Sequence, residues 1–315
     1  TPTTASCSTA SAGTGISGLD VAHGSRRRRD RRAEWLLSLP TLAGLTLLVV
    51  LPTLLVFGIA LRPATPYGGI GPGWTLDNVR ALASPGTLEV AWRTLWMSVL
   101  TTVICLALAL PAGYTIARAP ARWRDRLLLL VVVPFWTSFL VRVFAWKSLL
   151  HPEGPLKKAL EAVGLVGPAS TLLYHPSAVV LVMVYTFLPF TILPIYAAAE
   201  KFDFRLVEAA RDLGARPVQS FRRVFLPGIR RGVVTAILVV FIPALGSYII
   251  PDLVGGPAGE MLGNKIAQRV FTDRNLPQAA ALSAVLILAV MAPLLAVLAL
   301  QRKNRRSDIV IGEAP

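Results

Sequence analysis

Ser177 to Ala198 reads SAVVLVMVYTFLPFTILPIYAA, twenty-two residues without one charged side chain. A helix needs about 20 apolar residues to cross the hydrocarbon core of a bilayer, so this stretch is long enough to span. Comparable apolar runs cover residues 35–61, 92–117, 127–147, 232–254 and 279–300. Hydrocarbon offers no partner to the backbone groups of an open strand, and these runs lack the alternation of a barrel. The expected fold is therefore all-α: a polytopic membrane protein with six transmembrane helices.

Composition points the same way. The 315 residues are 54% apolar and only 16% charged, more apolar surface than one soluble core uses. The formal charge of +15 raises the question of nucleic acid, but a nucleic-acid binder gathers its cations on a folded soluble face. Here they fall between apolar runs, so the expected surroundings are membrane lipid and no nucleic acid. Cys7 and Cys105 form neither a disulfide framework nor a zinc spacing.

The cations also orient the chain. Arg26, Arg27, Arg28, Arg29, Arg31 and Arg32 precede the first run, and Arg118, Arg122, Arg124 and Arg126 lie between the second and third. Eight more, from Lys201 to Arg231, separate the fourth and fifth, and Arg302, Lys303, Arg305 and Arg306 follow the sixth. With six spans all four groups share one side, which the positive-inside rule makes cytoplasmic together with both termini. The expected organisation is a disordered basic tail over 1–34, a membrane domain over 35–300 with a cytoplasmic loop at 199–231, and a cytoplasmic tail over 301–315. At about 27 residues the first run is too long for a cleaved signal, so it is taken as an uncleaved span. On the other side the connections are rich in Pro and Gly, as in 62–72 and 255–259. Leu156, Leu160 and Val163 beside Lys157, Lys158 and Glu161 fit either a surface-lying amphipathic helix or an ordinary loop helix.

The loop between the fourth and fifth runs reads Glu208-Ala209-Ala210-Arg211-Asp212-Leu213-Gly214, then nine residues, then Val224-Phe225-Leu226-Pro227. It has the layout of two short helices joined by a turn. Ala209 and Ala210 offer a small-residue surface, and Gly214 can take a positive φ. Pro227, without a backbone donor, suits a helix start better than a helix middle.

This spacing resembles the signature of the inner-membrane permeases of binding-protein-dependent ABC importers: Glu-Ala-Ala, three residues, Gly, nine residues, then Ile-x-Leu-Pro. Val224 stands for the Ile. The resemblance implies a type I ABC importer permease fold, with Glu208, Ala209, Ala210, Asp212, Gly214, Val224, Leu226 and Pro227 on the loop that docks into an ATPase. It also implies the partners: cytoplasmic ABC ATPase subunits, a second permease that is a related non-identical chain, and an extracytoplasmic solute-binding protein. No Gly-x-x-x-x-Gly-Lys-Ser/Thr segment occurs, so this chain holds no cofactor of its own, and ATP with Mg²⁺ belongs to the partner ATPase. No catalytic pair or metal spacing is present either; His23, His151 and His175 are isolated.

The segment Gly246 to Gly256, the following Met261-Leu262-Gly263-Asn264, and Pro134 to Arg142 look like the spermidine/putrescine permeases. Ser247 stands where that group often has an acid, and Leu276 where it often has Trp. The resemblance implies a polyamine cargo, with thiamine, iron, an opine or a sugar as alternatives. A polycation needs carboxylates and aromatic faces along its route, so Asp252 with Tyr248 one turn before it is the leading pathway candidate, accompanied by Ser247, Trp136 and Tyr185. The alternative for Asp252 and Tyr248 is a helix-end carboxylate and an interfacial tyrosine. Arg142, a cation inside an apolar run, is expected to pair with a carboxylate or backbone carbonyls and shape the bundle. Pro243 and Pro251, flanking the candidate site, are the prolines expected to serve as hinges. The rival from another class is an ion-coupled secondary transporter, which calls for charges at mid-membrane that these runs largely lack.

Overall fold

The computed structural model describes residues 17–65, 68–164, 167 and 170–312, and all its named elements are helical. The chain divides into two compact units, Thr1–Leu55 and Val56–Pro315. Helix α1, Ser17–Ala60, runs through the first. From Leu39 to Leu55 its large apolar side chains are exposed all round, the surface expected of a helix solvated by lipid. α1 begins within the stretch expected to be a disordered tail; residues 1–16 lie outside the described residues. Once a span has nucleated a helix, Arg, Ala, Glu and Leu extend it at little cost.

In the second unit a short helix, α2 (Asp77–Leu82), precedes three long ones: α3 (Pro85–Arg118), α7 (Pro176–Glu200) and α13 (Leu276–Gly312). α13 continues through 301–312, where only a tail was expected, for the same reason as α1.

The other two expected spans are broken. Run 127–147 is divided between α4 (Ala121–Val132), which tightens into a 3₁₀ turn at Val133–Trp136, and α5 (Phe139–Leu150), followed by α6 (Pro155–Ala162). The two halves meet at 89°, because Thr137 and Ser138 are extended, with ψ of 149° and 138°. Run 232–254 is α11 (Arg230–Leu245), which stops at Gly246; the chain resumes as a wide π turn at Pro251–Gly255. Pro251 has no N–H for the Ser247 carbonyl, so a continuous helix here would leave that carbonyl unpaired. Among the described residues four helices are long and apolar enough to cross a membrane alone, and up to six spans result if each bent pair counts as one; the second such pair is 217–228 with 230–245, which begins inside the expected loop, and the upper number matches the expectation. In α6 Leu156 and Leu160 are half-buried, Leu156 against the core, so the buried face takes in part of the apolar stripe together with Lys157. Lys157 is buried with Nζ 3.2 Å from Glu161 Oε1, whereas Val163 is exposed.

α3, α7 and α11 pack against one another and form the core. One half of it contains Met97, Cys105, Val182, Met183, Val240 and Ala244; the other contains Ala109, Ile116, Ile195, Phe225 and Ala236. Lipid tails are as apolar as leucine, so such helices associate through close packing rather than expulsion of water. Two glycines set the approach. A Cβ on Gly113 would lie 2.7 Å from Ile195 Cγ2, and one on Gly232 would lie 2.9 Å from the Pro194 carbonyl oxygen. Three of the buried hydroxyls on α3 are satisfied internally: Thr94, Ser98 and Thr102 each donate to the carbonyl four residues back at 2.7 Å, whereas the Thr101 hydroxyl has no partner among the described residues.

Gly113→Val is expected to lower stability by about 1–3 kcal/mol through overpacking. Gly86→Ala, whose new methyl meets nothing within 4 Å, is expected to leave stability unchanged. Thermal unfolding in detergent, followed by tryptophan fluorescence, separates them; equal midpoints would contradict the packing account.

Candidate functional site

Two regions carry the sequence-derived candidates, and they lie at opposite ends of α3. At its C-terminal end is the loop between α7 and α11. Helix α8, Arg205–Asp212, closes with the paired hydrogen bonds of a Schellman end: Ala215 N donates to Ala210 O at 3.0 Å, and Gly214 N to Arg211 O at 2.9 Å. That closure needs a left-handed residue, and Gly214 supplies it at φ 87°. The chain then re-enters helix through α9 (Pro217–Ser220), a π turn at Phe221–Phe225 and α10 (Leu226–Gly228). Pro227 does not open the next helix. It lies inside this helical run, where its missing N–H breaks the usual ladder, and Leu226 N instead reaches five residues back to Phe221 O. The bend comes at Ile229, and α11 leaves at 77°.

The loop is two-faced. Val207, Ser220 and Phe225 are buried, and Ala210, Val224 and Leu226 are half-buried. Glu208, Ala209, Asp212, Gly214 and Pro227 are exposed, joined by Leu206, Val218 and Leu213, the last 90% exposed. These three apolar side chains were not singled out from sequence; Leu206 lies on α8, Leu213 directly follows it and Val218 is on α9, so no single periodicity marks them. Beneath the loop Tyr114 of α3 meets Phe204, Phe221 and Phe225 edge-on, with centroids 5.7, 5.5 and 4.9 Å away, and Phe202 packs on Phe204 and Phe225. Phe202 also covers Gly228, where a Cβ would collide with its ring.

At the other end of α3, helix α12 (Leu262–Phe271) folds back against the broken segment 246–252. Leu262 N donates to Thr94 Oγ1 at 2.8 Å. Asn264 is buried; its Nδ2 reaches Tyr248 O at 3.1 Å and Asp252 Oδ1 at 3.5 Å, while its Oδ1 accepts from Met261 N. Gly263 sits where a Cβ would be 2.6 Å from Ser247 O. Asp252 N donates to Tyr248 O at 3.1 Å, which sets the two candidates one turn apart. Along this junction runs an open groove of about 550 Å³, bordered by Tyr248, Asp252, Glu260, Asn264, Lys265 and Phe271. Glu260 and Phe271 carry no motif and were missed in the sequence.

The other pathway candidates do not join the groove. Trp136 is 78% exposed at the break between α4 and α5, and Tyr185 packs edge-on against Trp146 at 5.3 Å. Arg142 does not find the expected carboxylate or carbonyls. Its guanidinium lies 4.4 Å over the Phe135 ring, and among the described residues Nε and Nη1 have no hydrogen-bond partner. The π face takes the role assigned to an anion, since a stacked arginine is partly satisfied by the ring quadrupole.

Comparison with known proteins matches residues 109–306 to the family of binding-protein-dependent transport system inner membrane components. The chain is 36% identical to the spermidine/putrescine transport system permease protein PotB of Escherichia coli (strain K12), covering 77% of this chain and 88% of that protein. The PotB protein of Haemophilus influenzae is 37% identical, covering 75% of this chain and 82% of its own length. In fold, the chain is similar to a bacterial ABC transporter that imports the acidic polysaccharide alginate, with a TM-score of 0.65 at 20% identity over 89% of this chain and 99% of that one. The family match covers α7, α11, the α8 loop and the groove, and the chain belongs to the binding-protein-dependent transport system inner membrane components: it is a multi-pass, non-catalytic permease subunit of an ABC transporter.

Proposed function

We propose that this chain is a permease subunit for polyamine import, driven by cytoplasmic ATPase subunits and supplied by a soluble binding protein outside the cell. The observation that carries the cargo is the 36–37% identity, over three quarters of the chain, to spermidine/putrescine permeases. The groove at α12 agrees in chemistry. Asp252 and Glu260 supply carboxylates for ammonium groups, and Tyr248 and Phe271 supply aromatic faces for the methylene segments between them. Lys265 borders the same groove and offsets part of that charge, so the carboxylates leave it net negative by one.

At the opposite end, the exposed face of α8 is the ATPase-docking surface in this reading. Glu208, Ala209, Asp212 and Gly214 belong to the motif, and Leu206, Leu213 and Val218 add apolar contact. A related second permease completes the pathway. ATP and Mg²⁺ bind the ATPases, and docking to α8 passes their closure to a bundle with two discrete arrangements.

Cells expressing the chain with its encoded partners should take up radiolabelled spermidine or putrescine saturably. Asp252→Asn should reduce that uptake about tenfold or more, since hydrogen bonds to a charged group are worth about 1.5–3 kcal/mol. Competition by a sugar, thiamine or iron in place of polyamine would keep the importer and discard this cargo. Gly214→Pro removes the residue at φ 87° that closes α8, a conformation proline cannot adopt. It should abolish uptake while membrane insertion, read by fractionation, stays normal; normal uptake would remove α8 from the energy path.

A further inference from the structure

We infer that Arg118, at the C-terminal end of α3, is a positioning residue that ties α8 to the membrane core, so that movement of the loop is transmitted along α3 to the groove. The inference rests on the reading of α8 as the ATPase-docking helix.

The contacts are specific. Arg118 Nη1 donates to the Tyr114 hydroxyl, one turn back on the same helix, at 2.9 Å. Its guanidinium carbon lies 5.7 Å from the Tyr114 ring centroid and 5.8 Å from that of Phe204, which precedes α8. Nη2 is 3.7 Å from Glu208 Oε1. Tyr114 therefore aims the guanidinium, Phe204 offers it a π face, and Glu208 receives its charge. Among the ion pairs of the described residues, this one joins α8 to a spanning helix.

Stability does not account for the arrangement. The pair is partly exposed, and such pairs add little to folding free energy. The buried Phe225 and Val207, with the rings around Tyr114, already fasten the loop. What the rings lack is a charge contact with the outward face of α8, which the Arg118–Glu208 ion pair supplies from a guanidinium held by the Tyr114 hydroxyl. From Arg118 the helix runs about 36 Å, at 1.5 Å per residue, to Thr94. There the hydroxyl accepts from the first residue of α12, the helix that borders the groove. One continuous helix, which contains Pro111, thus carries a polar attachment near each end.

The test is a reconstituted complex of this chain with its partner permease, ATPase and binding protein, in which polyamine uptake per ATP hydrolysed is measured alongside ATPase co-purification. Arg118→Gln is expected to keep the ATPase bound and lower uptake per ATP at least about fivefold, the lower end of typical coupling factors. Arg118→Lys, which restores the charge, should recover more than half. Tyr114→Phe, which keeps the ring but releases the guanidinium, should give about a twofold loss, within the reach of one hydrogen bond. An unchanged ratio in Arg118→Gln overturns the inference, as does a Lys variant no better than Gln. Loss of ATPase co-purification in Arg118→Gln also overturns it, because Arg118 would then shape docking rather than transmission. If the unaltered chain fails to retain the ATPase, the docking reading itself falls, which is a different result.

Discussion

A peptide group without a hydrogen-bond partner is costly in hydrocarbon, and this constraint bears on how the bundle is broken. At the groove and at the α8 loop another group or a wider turn takes over part of the freed backbone. At 246–248 the chain unwinds, and the Asn264 side chain with the Asp252 amide occupies the Tyr248 carbonyl. At Pro227 the ladder shifts to a five-residue reach through the π turn. On α3 hydroxyls double up on carbonyls already in use, so that Thr94 retains a lone pair for Leu262 N. Groove and loop are both built where backbone satisfaction is handed to a side chain or to a wider turn.

The same constraint explains how much was legible in the sequence. Span positions follow from apolar length alone, and the runs at 92–117, 177–198 and 279–300 fall inside α3, α7 and α13. The turn at Gly214 was legible because only glycine takes φ 87° cheaply, and the Glu-Ala-Ala to Leu-Pro spacing marked its loop. What hydropathy cannot register is direction. Val-Pro-Phe-Trp-Thr-Ser carries no charge and sits within one apolar run, yet its last two residues are extended and turn it by 89°. The groove residues Glu260 and Phe271 meet Asp252 only because α12 folds back, a long-range event with no local periodicity. Arg142 shows the converse limit: the need for a partner could be read, but not that Phe135, seven residues earlier, would be that partner.

Packing and polarity divide the work along α3. Its middle touches α7 through Gly113 and buried apolar side chains, contacts that are short-ranged and indifferent to charge. Its two ends carry the polar attachments, Arg118 to Glu208 and Thr94 to Leu262. Between these ends α3 meets α7 through close approach at Gly113, and the Cys105 thiol adds one weak hydrogen bond to the Val184 carbonyl at 3.7 Å.

The two-faced construction of α8 bears on how such a protein diversifies. Val207 is locked beneath the helix, while Leu206 and Leu213 stand clear of the rest of the chain at 54% and 90% exposure. Substitutions on the outer face therefore meet almost no resistance from the fold, whereas those on the inner face meet all of it. With α8 as the docking helix of the proposed function, a duplicated copy comes to recognise a different motor subunit through two or three surface exchanges while the scaffold stays unchanged. Fidelity among co-resident transport systems would then be written in a handful of side chains that contribute nothing to holding the molecule together.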